Sequence, residues 1–175
     1  MADIFISFIH EEEPVASALQ RFIKALLTST EVFMSADTWQ VYAGEIWLDR
    51  ITQELKKAQV VLLLLSPRSV IRPWVNFEAG GAWFSGKKII PISFNGLTKG
   101  ALPKPYSNIQ AVNLETTEDQ YYLIKSITHH LPHVLTPPPP MPDLIRERHP
   151  AIAEAFEPYI RLSDAVAAFI AEEPK

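Results

Sequence analysis

Cysteine is absent from the 175 residues, which excludes disulfides, thiolate catalysis and cysteine-ligated metals. Glycine is scarce at 6 residues. No GxGxxG or GxxxxGKS/T arrangement occurs, so an ordinary Rossmann or P-loop phosphate cradle is unsupported. Basic residues do not cluster and the formal net charge is -4, which argues against a nucleic-acid or anionic-membrane partner. The longest apolar run, "VVLLLL", is far shorter than the roughly 20 residues that span a bilayer. The opening "MADIFISFIH" has no basic region ahead of its apolar residues and no small-residue cleavage site, so no signal peptide is expected and a cytoplasmic location is. Ser66 has no GxSxG context, which speaks against a nucleophile elbow. His129, His130 and His133 lack the paired spacing of a zinc site, so no metal is expected.

What is present is enough apolar sequence for a core: 47% of residues are hydrophobic, one domain's worth of chain with an appendage. "DIFISF" (3–8) reads as a buried strand. Val15, Leu19, Phe22, Ile23, Leu26 and Leu27 then repeat at helical spacing, behind Glu11–Glu13 and a first-turn Pro14. "EVFM" (31–34) is a second strand. The loop "SADTWQVYAG" leads to a helix with Trp47, Leu48, Ile51 and Leu55 on one side. "QVVLLLLS" (59–66) is apolar almost throughout, as suits a central parallel strand covered on both faces. After a helix over 72–88 comes "KKIIPISF", where Pro91 predicts an edge or strand-start place. "IQAVNL" (109–114) is a fifth strand, and "TTEDQYYLIKSITHHL" a helix begun by capping threonines.

Strands alternating with helices predict an α/β fold: a flavodoxin-like three-layer sandwich with a five-stranded parallel sheet and helices on both faces. The expected organisation is a domain over 1–132, a proline-rich linker over 133–142 and a helical extension over 143–175. Pro150 and Pro158 predict short helices there. The apolar stripe Leu162, Val166, Phe169 and Ile170 needs cover from its own domain or from a second copy.

The helix "RPWVNFEAGGAWFSGKK" poses a question, because its one carboxylate, Glu78, sits among aromatics and paired glycines. Pro73 fits a first turn, and Trp74, Glu78 and Ala82 share one face. Gly80 and Gly81 each cost up to ~1 kcal/mol against alanine mid-helix, which suits the close approach of another backbone or a ligand. The plain reading makes Glu78 a solvated second-turn acid. It also makes Trp39, Trp47, Trp74 and Trp83 core or rim aromatics, and His10 a hydrogen-bonded loop residue.

Four segments in order change the balance. "DIFISF", "DTWQVYAGEIWLDRITQEL", "VVLLLLSPRSVIRPWVNFE" and "KKIIPI" together resemble a Toll/interleukin-1 receptor (TIR) domain of the bacterial NAD-cleaving type, over about residues 3–131. They match its first-strand box, its BB loop, its strand–Ser-Pro–Trp-x-x-x-Glu segment and the strand that follows. The resemblance implies that Glu78 is the catalytic residue of an NAD+ glycohydrolase, releasing nicotinamide and either ADP-ribose or a cyclic ADP-ribose isomer. Trp74, Phe8 and Trp39 or Tyr42 are then aromatic walls for the substrate, and His10 and Ser66 contacts to its phosphates or ribose. Ile9 and His10 stand where some members carry a basic pair, which weakens the diphosphate contact. NAD+ is substrate and not cofactor in this reading. Self-association through TIR surfaces and a nucleotide signal to a separate effector in anti-phage defence are also implied. The alternatives are a non-catalytic TIR interaction scaffold, a nucleoside N-glycosidase on a similar sheet, and a flavodoxin-like receiver. The last lacks an acidic pair at the end of its first strand.

Overall fold

One largely apolar pentad and one apolar hexad set the centre of the molecule. In the computed structural model, which describes residues 3–36, 47–135 and 150–172, β1 (Ile4–Phe8) and β3 (Val60–Leu65) are buried at every position. Strands buried on both faces read as apolar runs; β3 is unbroken, and β1 is interrupted only by Ser7. With β2 (Val32–Ala36), β4 (Lys88–Ser93) and β5 (Val112–Asn113) they form one parallel sheet in the order β2-β1-β3-β4-β5. The five-stranded parallel sheet expected from the sequence is therefore the one observed.

Side-chain alternation along each strand divides the core in two. Ile4, Ile6 and Phe8 join Leu62, Leu64 and the apolar face of α1 (Glu13–Leu26) on one side. Phe5, Val61, Leu63 and Leu65 face the other way, toward α2 (Trp47–Lys57) and α3 (Pro73–Phe84). Chain order reverses between β1 and β3, and in open α/β sheets that switch point marks the ligand-binding end. The turns after β1 and β3 meet there.

Three expectations need correction. The fifth strand is shorter than 109–114: a 3-10 turn at Tyr106–Asn108 delays it, and only Ile92 and Ser93 of β4 offer it partners. Pro91 is on an interior strand, not an edge. The N–H groups of Lys88 and Phe94 point at β3, so by alternation the nitrogen of Pro91 points toward β5, whose ladder begins one residue later. No ladder bond is lost.

The third correction concerns the C-terminal helices. Following α4 (Thr117–His130), capped by Thr116 Oγ1 accepting the Asp119 N–H at 3.3 Å, the chain forms α5 (Pro150–Glu172), one helix running through Pro158. An interior proline costs about 3 kcal/mol. Packing outweighs it: Tyr159, Leu162 and Val166 are buried in the α1 side of the core, each contributing roughly 1.5–3 kcal/mol. Tyr159 meets the edge of Phe22 with centroids 4.9 Å apart, and Gln120 Nε2 donates to Ser163 Oγ at 3.0 Å. The stripe is thus covered by α1 and α4 of its own chain. None of the described helices is long and apolar enough to cross a membrane.

Candidate functional site

Helix α3 starts with Pro73 directly after the extended residue Arg72, as a proline with no N–H to lose should. Glu78 lies on its second turn, but it is not a solvated surface acid. It is 1% exposed, and one of its oxygens, Oε1, accepts a hydrogen bond from Ser35 Oγ at 2.5 Å. Ser35 is on β2, where the parallel register sets it beside Ser7 of β1. The Ser7 hydroxyl is fully buried and has no hydrogen-bond partner among the described residues. Glu78 is therefore anchored on a short polar strip in an otherwise apolar sheet face. A carboxylate in such a place carries a stronger field than one in water.

One turn earlier on the same face, Trp74 is half-buried against the α2/α3 core and stacks on Phe77, centroids 5.5 Å apart and planes 29° apart. The glycines divide the roles expected of both. A Cβ on Gly81 would meet Leu55 Cδ2 of α2 at 3.3 Å, whereas one on Gly80 would meet nothing within 4 Å. Close approach is thus required at Gly81 alone, by a side chain and not by backbone. Gly80 opens instead on an apolar cleft of about 380 Å³ on another flank of α3, lined by Asn76, Ala79, Trp83, Tyr106 and Ile109.

A second buried carboxylate lies at the switch point. Glu12 ends the 3-10 turn His10–Glu12 that follows β1, and it is 1% exposed. Its Oε1 accepts from Ser66 Oγ at 2.5 Å. Burial pushes its pKa up to about 7, against the opposing hydrogen bonds from Ser66, Ser69 and the Ile9 backbone, while the charge of Glu11 pushes the same way as burial.

The remaining sequence candidates scatter. Phe8 is 2% exposed in the α1 side of the core, across the sheet from Glu78. Its even place in the strand sends it there, so the structure does not bring it to the carboxylate. His10 is exposed on the 3-10 turn, its Nδ1 3.5 Å from Glu13 Oε2. Ser66 is 1% exposed and its proton is committed to Glu12. Trp39 and Tyr42 lie outside the described residues. Among the described candidates, only Trp74 shares a face with Glu78. The residues that sequence reasoning missed are Ser35, Ser7 and Glu12. A lone serine in a strand has no periodic signature, and Glu12, in an acidic run ahead of a helix, looks like any acid favoured by the helix dipole.

Residues 4–124 match the family model described as TIR domain. No curated protein matches the sequence. Among solved structures, a metazoan TIR-STING receptor from C. gigas, determined in complex with 2',3'-cGAMP, aligns with a TM-score of 0.50 at 18% identity, over 65% of this chain and 35% of that one. The chain thus spans about a third of that receptor's length. The TIR domains of the activated Roq1 resistosome recognizing the effector XopQ align with a TM-score of 0.42 at 10% identity, over 99% of this chain and 86% of that one. The likeness to the TIR-STING receptor is one of fold.

Proposed function

The chain belongs to the TIR domain family, and from that premise we propose that it is an NAD+ glycohydrolase with Glu78 as the catalytic carboxylate. The observation that supports this reading is the burial of Glu78, tied to Ser35 and one turn from Trp74. Nicotinamide on ribose is a cationic group that departs neutral, taking the bonding pair as the C1'–N bond breaks. The reaction therefore calls for neither a metal nor a separate cofactor. Positive charge moves onto the ribose as an oxocarbenium-like centre. A carboxylate beside the ribose hydroxyls stabilises that centre, most strongly where water is excluded. Trp74 offers a face for stacking the nicotinamide.

Water adding at C1' and losing a proton gives ADP-ribose. A ring nitrogen or hydroxyl of the same molecule gives a cyclic isomer, which would serve as a signal to a separate effector in anti-phage defence. At 1% exposure Glu78 is covered in this form, so ribose reaches it only once the site opens. Assembly of several copies is the event we assign to that opening, and turnover per molecule is expected to rise with protein concentration.

The test is NAD+ consumption at high protein concentration by the wild type and Glu78→Ala, with products separated by chromatography and mass. The expected outcome is a loss of at least about a hundredfold in kcat, on the scale of removing a group that meets transition-state charge. No turnover by the wild type at any concentration would sink the enzyme reading. A second reading, a TIR interaction scaffold, is favoured by the outward apolar residues Ile71, Phe77, Trp83 and Phe84 on and before α3. It predicts partner binding indifferent to Glu78→Ala.

A further inference from the structure

The connection from β3 to α3 is held from outside itself by the β1–α1 turn. Within residues 66–72 the bonds are dense. Ser66 Oγ accepts the N–H groups of Arg68 at 3.0 Å and Ser69 at 3.1 Å. Ser69 Oγ accepts the Ser66 N–H at 2.7 Å and donates to the Leu64 carbonyl at 3.2 Å. The N–H groups of Val70 and Arg72 go to the carbonyls of Ser66 and Ser69. Asn76 Nδ2, on the first turn of α3, donates back to the carbonyls of Val70 and Arg72 at 3.2 and 2.9 Å. The turn and the start of α3 thus form one hydrogen-bonded piece.

Two neighbouring side chains of the β1–α1 turn grip that piece. Arg72 Nη2 donates to Glu11 Oε1 at 2.7 Å, but both side chains are about 40% exposed (40% and 39%), and an exposed pair is worth little. Glu12 is different. Its acceptor sits at the hydroxyl on which the turn is built, away from water. A carboxyl taken out of water costs free energy unless hydrogen-bonded, so the Glu12–Ser66 bond is the strong one of the two. Glu12 is as covered as Glu78, but it follows β1 and bonds into the turn, off the α3 face that carries Trp74 and Glu78.

We propose that Glu12 is a positioning residue for Glu78: its bond to Ser66 fixes the turn over 66–72, and the turn fixes where α3 presents Glu78. The proposal rests on the reading of Glu78 as the catalytic carboxylate. It needs an acceptor at Glu12 and no charge, so glutamine, whose amide oxygen still accepts from Ser66, should serve.

The experiment compares wild type, Glu12→Ala and Glu12→Gln in the full chain. Amide hydrogen exchange is read at Arg68, Ser69 and residues 76–79, with Val61 and Leu63 as controls, and kcat and KM for NAD+ are measured where circular dichroism shows all three folded. Expected in Glu12→Ala is at least tenfold faster exchange at the turn and on α3 with the controls unmoved, and kcat at least tenfold lower with KM within threefold. Glu12→Gln stays within threefold of wild type throughout. Equal acceleration at the controls would reduce Glu12 to general stability and overturn the proposal, as would a Gln variant as damaged as Ala. Unchanged exchange on α3 overturns the mechanical link. Accelerated exchange on α3 in a protein whose wild type never consumes NAD+ keeps the link and overturns the catalytic reading of Glu78 instead. Should Glu12→Ala not fold, Glu12→Asp withdraws the acceptor by one methylene and is read the same way.

Discussion

Two buried glutamates, Glu78 and Glu12, each accept a hydrogen bond from a serine hydroxyl at 2.5 Å. Ser35→Ala removes the donor to Glu78. Leaving a buried polar group short of a partner costs about 1–3 kcal/mol, so urea unfolding should register that loss, and kcat should fall about tenfold as Glu78 gains freedom. Glu12 gives a pH signature. Its folded pKa is raised from 4.5 to about 7, so the folded chain keeps a proton that the unfolded chain gives up. Its contribution is complete below about pH 4.5 and is lost as pH rises to about 7, a swing on the order of 3 kcal/mol. Glu12→Gln should flatten that part of the stability profile in denaturant melts from pH 4.5 to 8, and an unchanged slope would show that Glu12 titrates normally. Glu78 was legible in the sequence as an acid four residues after Trp74, behind Pro73. Its partner was not, because Ser35 is 43 residues away and nothing local marks which strand hydroxyl a helix will meet.

Among the elements, α3 shows how two adjacent glycines differ. Gly80 has open space where a Cβ would go, so Gly80→Ala should raise stability by about 0.5–1 kcal/mol through helix propensity alone. Gly81→Ala meets Leu55 and should gain less or lose. Thermal melts of the two variants separate these outcomes. The strands were readable because β3 is an unbroken apolar run and β1 one broken only by Ser7, as strands covered on both faces should be. The length of β5 was not, since "IQAVNL" says nothing of where β4 stops offering partners. Nor was the continuity of α5, where the local cost of Pro158 is overridden by Tyr159, Leu162 and Val166 meeting residues far away in sequence.

For the whole molecule, α5 completes the core on the α1 side and leaves the α3 side to hold the buried Glu78, the cleft and the outward aromatics. Removing residues 150–175 uncovers Phe22 and its neighbours. The expected result is a lower melting temperature and binding of a hydrophobic dye, with the sheet signal in circular dichroism retained. A truncated chain as stable as the full one would show that α5 merely rests on the surface. The TIR fold itself was legible from four short segments, whose described residues take in β1, most of α2, β3 with the start of α3, and β4.

The docking of α5 also has a consequence in time. A chain made from its first residue has its five strands and α1 to α3 in place before Tyr159 is added, so Phe22 waits for a partner that is 137 positions later in the sequence. Until then the nascent domain shows an apolar groove to solvent, the kind of surface on which chaperones act and neighbouring chains stick. Of the described helices, the one latest in the chain is the one that closes this groove.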